Sequence, residues 1–251
     1  LLNVTLGDVA ASSGVNTVIL TDTGGNDTVA INADAPSTIT VEFDSDATNV
    51  NSVIAAATYA GAITVKAADT ELDNTTSVFT GGTGSDTLEI TAAGGAATTL
   101  GSVTNVETIK IVGTTLNSGA TLFDANATYS GSSSFQTITV DATALTTGVA
   151  TINAVAEADA KVIIKGGGGA DIITASVSSN LGDTISGNGG NDIINISTGG
   201  FTSADTIDGG AGTNVISLTN NATVVDADYT NVTLVQTLTA GAGLSLNVDL
   251  G

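Results

Sequence analysis

Seven positions in this chain place an oxygen-bearing side chain directly after a glycine-rich or turn-rich run and directly before a short polar and apolar alternation. The clearest is GGGGADIIT at 166–174, whose sixth residue is Asp171. GGTGSDTLE at 81–89 gives Asp86, GNGGNDIIN at 187–195 gives Asp192, and GGAGTNVIS at 209–217 gives Asn214. Two looser copies, SSNLGDTIS at 178–186 and GFTSADTID at 200–208, supply Asp183 and Asp205, and DTGGNDTVA at 22–30 supplies Asp27. A carboxylate beside a glycine backbone suits the binding of a hard, oxygen-loving cation. Glycine at the first, second and fourth positions permits positive φ, so that carbonyl oxygens can turn inward around one point. The expected contributors are Gly81 and Thr83, Gly166 and Gly168, Gly187 and Gly189, and Gly209 and Ala211, each set completed by its sixth-position side chain. Calcium takes six to eight oxygens in a flexible geometry, more than one turn supplies but within reach of two stacked turns.

Composition closes off other chemistry. The chain has no His, Cys, Met or Trp, and its four positive charges, Lys66, Lys110, Lys161 and Lys165, face 25 carboxylates for a formal net charge of −21. Zinc, haem and iron–sulfur ligand sets are therefore missing, as are His-based Ser and Cys triads. So acidic a surface repels nucleic acid and anionic membranes and attracts cations, and no apolar run approaches bilayer-spanning length. Neither nucleic-acid binding nor membrane insertion is expected. Asp44 and Asp46 in EFDSDATN read as a solvated acidic turn, because the Gly and closing Glu of an EF-hand are absent.

The elements that must position these turns are short strands. After each sixth-position residue the chain alternates, as in Thr87-Leu88-Glu89, which suits a strand with one side chain in a core. Asp171, Asp192 and Asn214 recur at intervals of 21 and 22 residues, and Asp183 and Asp205 at 22. Near-equal intervals predict stacked coils, with the turns at 166, 187 and 209 on one edge and those at 178 and 200 on the other. Further strands are expected at 49–54, 103–113, 134–141 and 229–238, and short helices at most near 52–60 and 153–160. Residues 49–91 and 134–176 share one order of features, a strand pattern, an Ala-rich stretch and a GGxGxD turn, which suggests an internal duplication.

The nonapeptide GGxGxDxUx resembles the calcium-binding repeat of RTX (repeats-in-toxin) proteins, strongly over 166–217 and at 81–89. The resemblance implies an all-β fold: a parallel β-solenoid with a calcium-binding β-roll segment. It divides the chain into a long-coil solenoid with isolated RTX-like turns (1–133) and a solenoid holding the roll at about 160–217 and terminal strands (134–251). Calcium is expected between the 166 and 187 turns and between the 187 and 209 turns. Aligned carboxylates about 4.8 Å apart repel by roughly 3 kcal/mol at an effective dielectric of 20, so calcium binding would be coupled to folding. The family further implies type I secretion in the unfolded state and folding in external calcium.

Beyond its repeats the chain is more solenoid, rich in Ala, Thr, Val and Gly. In that it resembles RTX-type surface-layer proteins, which implies an extracellular, non-enzymatic structural subunit that associates with itself and is anchored through a cell-surface polysaccharide. An adhesin or spacer segment of a larger exported protein is the alternative. A secreted carbohydrate hydrolase is disfavoured by five Glu, three Tyr and five Phe, with no two acids marked out as a pair.

Overall fold

The computed structural model describes residues 3–7, 15–21, 26–43, 51–72, 77–92, 94, 97–100, 103–113, 115–123, 136–158, 160–177, 181–197, 199–241 and 245–249. Asp44 and Asp46, the strand pattern's first residues at 49–50 and 134–135, and residues 22–25 and 178–180 of the repeats lie outside them. Every strand pairing among the described residues is parallel, and sequence neighbours fall in different sheets, as in a β-solenoid.

Sheet A holds β1 (Asn3–Leu6), β3 (Thr28–Ile31), β5 (Ser52–Ala55), β7 (Val78–Thr80) and β10 (Val103–Thr104). Sheet B runs the length of the molecule as β2 (Thr17–Ile19), β4 (Thr38–Glu42), β6 (Ala62–Ala68), β8 (Thr87–Thr91), β11 (Thr108–Val112), β13 (Gln136–Asp141), β15 (Ala160–Lys165), β17 (Thr184–Ser186), β19 (Thr206–Asp208) and β22 (Val232–Thr233). Sheet C contains β9 (Thr98–Thr99), β12 (Ser118–Phe123), β14 (Ala150–Ala156), β16 (Ile172–Thr174), β18 (Ile193–Ile196), β20 (Val215–Leu218) and β23 (Thr237–Ala240). A small fourth sheet pairs β21 (Ala222–Val225) with β24 (Leu246–Asp249). The chain alternates between sheets A and B as far as β8 and between B and C from β11 to β20. The coil that carries β9 and β10 touches all three sheets and hands the solenoid from A to C.

Period-two alternation puts apolar side chains into unbroken inner columns. In sheet B the column runs Val18, Val41, Val65, Leu88, Ile109, Val140, Ile164, Ile185, Ile207 and Val232, one residue per coil. In sheet C it runs Ala120, Ile152, Ile173, Ile194, Ile216 and Leu238. Nearly all of these are fully buried. Each buried Val, Leu or Ile contributes about 1.5–3 kcal/mol relative to exposure, against about 1 kcal/mol net for a hydrogen bond. The columns therefore hold the coils together, and a one-residue slip in any strand would turn its apolar set outward.

Two expectations about elements are refined. The Ala-rich segments are strands, β5 and β14: Ala55, Ala150 and Ala154 alternate inward and fill a narrow core that larger residues would overfill. The α-helical turn falls instead at α1 (Asp69–Leu72), and a 3-10 turn spans Asp226–Tyr229. The segments 103–113 and 229–238 each form two strands in different sheets. Their chain turns a corner at Asn105 (φ 55°) and at Leu234 (φ 54°), so one apolar pattern straddles a corner.

Candidate functional site: buried carboxylate ladders at the coil corners

The glycine-rich turns at 166–171, 187–192 and 209–214 lead from sheet B into sheet C, and the looser turns ending at Asp183 and Asp205 lead back. The two-edge arrangement expected from spacing is thus present. Asp171, Asp192 and Asn214 stand one residue ahead of the register partners Ile172, Ile193 and Val215. The earlier copy, 81–86, occupies a different corner, leading from sheet A into sheet B, while Asp27 precedes β3 of sheet A.

All seven sixth-position residues are buried. The side chains of six of them form ladders, each accepting a backbone N–H from the coil before. Asp171 Oδ1 accepts from Ala150 N–H (2.7 Å), Asp192 Oδ1 from Asp171 N–H (2.8 Å), Asn214 Oδ1 from Asp192 N–H (2.9 Å) and Gln236 Oε1 from Asn214 N–H (2.6 Å). On the opposite edge Asp183 accepts from Val162 N–H (3.2 Å) and Asp205 from Asp183 N–H (2.8 Å). At the earlier corner Asp86 accepts from Ile63 N–H (2.8 Å) and Glu107 from Asp86 N–H (2.7 Å). Backbone donors that the corner withdraws from the sheets are satisfied in this way. Asp27 contributes its carbonyl, which accepts Ser52 N–H at 2.9 Å.

The second carboxylate oxygen distinguishes the turns. Gly82 N–H serves Asp86 Oδ2 (2.8 Å), Gly167 N–H serves Asp171 Oδ2 (2.5 Å), Ser176 N–H serves Asp183 Oδ2 (3.0 Å) and Thr202 N–H serves Asp205 Oδ2 (2.7 Å). Asp192 Oδ2 is buried with no hydrogen-bond partner. The cause is Asn188, at the position matching Gly82 and Gly167: it has φ 65°, and its side-chain amide donates to Gly166 O (2.7 Å). Asp192 Oδ2 and Gly209 O converge on Gly187, where a methyl group would come within 2.2 and 2.5 Å of them. One coil later Asn214 Nδ2 donates to Leu234 O (3.0 Å) and Gly210 O (3.3 Å). Asn214 thus has a donor facing the carbonyls where Asp192 has a bare oxygen, and a bare anionic oxygen beside a carbonyl calls for a cation or a proton.

Burial pushes the Asp86, Asp171 and Asp192 carboxyls up to about 6, against the N–H bonds that pull them down. The Glu107 charge adds to the rise at Asp86 and the Asp171 charge to that at Asp192. Asp183 and Asp205 are raised as well, again chiefly by burial.

The glycines do their work differently from the expectation. Among Gly81, Gly82, Gly84, Gly166, Gly167, Gly168 and Gly169 none has positive φ. What excludes a side chain is backbone stacking: a Cβ would lie 2.2 Å from Tyr59 O at Gly82, 2.5 Å from Leu145 O at Gly167 and 2.2 Å from Thr146 O at Gly168. Among the described glycines of the repeats, positive φ is found at Gly182, Gly190, Gly210 and Gly212, so the expected role holds only in the copies from 178 onward. Some of the carbonyls are engaged within the chain. Gly81 O accepts from Asn105 Nδ2 (3.4 Å) and Gly167 O from Gly189 N–H (3.1 Å). Thr83 N–H and Gly168 N–H each donate to the preceding coil (Tyr59 O and Leu145 O, both 2.6 Å), and Ala211 N–H donates to Asn188 O (2.7 Å). Gly209 N–H closes on Thr233 O at 2.9 Å.

No group of three or more carboxylates gathers among the described residues, so a cation here would draw on backbone carbonyls. Among the described residues, the 187–192 turn brings the unpartnered Asp192 Oδ2 together with Gly209 O, two of the six to eight oxygens that calcium takes. Two rungs, Glu107 and Gln236, carry no glycine motif and could have been found only by counting coil lengths from their neighbours. Protein-family models, curated proteins and solved structures were each compared with the chain, and none matches.

Proposed function

We propose that the chain is an extracellular structural protein, a calcium-stabilised subunit of a self-assembling surface layer or filament. The observation that carries this reading is the buried, unpartnered Asp192 Oδ2 that converges with Gly209 O on a stacked glycine turn. Calcium would be held at Asp192 with neighbouring carbonyls, supplying the positive charge that its unpartnered oxygen lacks. An adhesin or spacer segment is the second reading. It is favoured by sheet C, whose strands carry no charged residue and turn outward a row of Thr99, Thr121, Asn153, Thr174, Asn195, Ser217 and Thr239.

Electron microscopy of the purified chain in millimolar calcium and in excess chelator, with circular dichroism on the same samples, separates the two. The structural reading expects sheets or filaments that dissolve with chelator. Folded, monodisperse monomers in calcium would reject it and favour the adhesin.

A further inference from the structure

The four lysines are scattered in sequence but gathered in space. All lie on strands of sheet B and alternate with its inward-facing residues: Lys66 on β6, Lys110 on β11, and Lys161 and Lys165 on β15. Three of them share one outer column, which reads Glu42, Lys66, Glu89, Lys110, Asp141, Lys165 in successive coils. The sign alternates at every step over roughly 24 Å, five steps of about 4.8 Å. Lys165 Nζ lies 3.2 Å from Asp141 Oδ2, with the two side chains 46% and 25% exposed. Against burial, which raises it, the hydrogen bonds from Thr143 and then the Lys165 ammonium hold the Asp141 carboxyl below its ordinary value.

The strands of sheet B hold four acids (Glu42, Glu89, Asp141, Asp208) and all four lysines, so their net charge is zero in a chain of −21. Strands of sheets A and C hold no charge, so they offer nothing that fixes register. Beside the column Thr17, Thr40, Thr64, Thr87, Thr108 and Thr139 form a second, uncharged row.

The run of six charges, flanked in the same column by the uncharged Ile19 and by Ser186 ahead of Asp208, begins with an acid, ends with a base and alternates, so it is complementary to its own reverse. We infer that sheet B is a homotypic docking face, on which a second copy of this chain lies with its solenoid axis reversed. The two-fold axis runs parallel to the strands and passes between Glu89 and Lys110. Glu42 then faces Lys165 of the second copy, Lys66 faces its Asp141, and Glu89 faces its Lys110. A parallel pair closed by a two-fold axis is in register and sets like charge on like charge at all six positions. A depression of about 320 Å³ lined by Glu42, Lys66 and Glu89 receives the exposed Lys165 end of the other copy. Neutrality makes sheet B a face on which two acidic chains can meet, and the alternation selects the orientation.

The inference rests on the self-association reading and specifies its lateral contact. The test is sedimentation equilibrium on the full chain in calcium, with circular dichroism to verify folding. Glu42→Lys and Lys165→Glu each set two like-charge contacts into the homodimer. Each alone is expected to weaken association by about tenfold or more, and raising salt from 50 to 500 mM is expected to weaken the parent comparably. Mixed in equal amounts, the two variants present opposite charges at both contacts, and association should return to within about threefold of the parent. Lys66→Glu with Asp141→Lys repeats the logic at an inner pair should either first variant misfold. A mixture no stronger than its components, or variants that associate like the parent, would overturn the sheet B contact. If calcium-dependent sheets or filaments persist in that case, the structural reading survives without this face; if the parent neither associates nor assembles, both fall.

Discussion

Residues 81–86 and 166–171 make the same turn at different corners of the solenoid. In both, the aspartate takes one N–H from the coil before and one from the second glycine of its own run, Gly82 or Gly167. The first joins sheet A to sheet B and the second joins B to C. The segments 49–91 and 134–176, which share one order of features, are therefore related by a step around the solenoid as well as along it. Local sequence dictates the turn, while the coils already stacked dictate which corner it occupies. The turn at 187–192 departs from this pair at Asn188, and that departure is what frees Asp192 Oδ2.

Removing either matched aspartate should give the largest effect. Asp86→Ala and Asp171→Ala each strand two buried N–H groups at about 1–3 kcal/mol apiece, so each should lose about 2–5 kcal/mol in urea unfolding. A wide gap between the two would break the equivalence of the corners. Gly82→Ala and Gly167→Ala should follow at about 1–3 kcal/mol, since the added methyl meets a backbone carbonyl of the coil below.

The pH response sharpens the comparison. Asp86, Asp171 and Asp192 have folded-state values of about 6 against 3.8 for the free group, so their protonated forms favour the folded chain. Their contribution is fully present below about pH 4 and is lost as pH rises through about 6. In chelator, the thermal midpoint should therefore rise as pH falls from 7.5 to 5. In calcium the stabilisation from metal should grow in the other direction, because the metal needs the carboxylate ionised.

The smallest effect should separate the third turn from the pair. Asp192→Asn places an amide donor beside Gly209 O, as Asn214 does beside Leu234 O, and should change stability in chelator by less than about 1 kcal/mol. Asp171→Asn turns an amide donor toward Gly167 N–H and should cost more. Calcium titration followed by thermal shift should lose its response in Asp192→Asn; a response that persists would remove Asp192 as the cation ligand.

Much of this architecture is legible in the sequence because solenoids repeat. The interval from Asp171 to Asp192 equals the coil, and Thr-apolar-polar triplets mark the strands. The corners are less legible: in 103–113 and 229–238 apolar periodicity continues through Asn105 and Leu234, and only the backbone reveals the change of sheet. The aspartates read as cation ligands because glycine and carboxylate suit one. That most of them are already hydrogen-bonded to backbone depends on how closely the coils stack, which no single turn encodes. The lysine column was hidden for a simpler reason. Its members are 21 to 31 residues apart, and they align only once the strand register is known.

That column also makes length a matter of parity. A solenoid grows by whole coils, and each coil appends one residue to the row. Six alternating charges become their own opposites on reversal, whereas five or seven return unchanged and meet like with like. Duplicating or deleting a single coil within 42–165 would leave the hydrophobic columns and corner ladders able to stack, yet would break the alternation and, on reversal, set like charge against like at the centre of the row. Two coils at a time would restore it, so the fold tolerates lengthening in single steps while the face accepts it only in pairs.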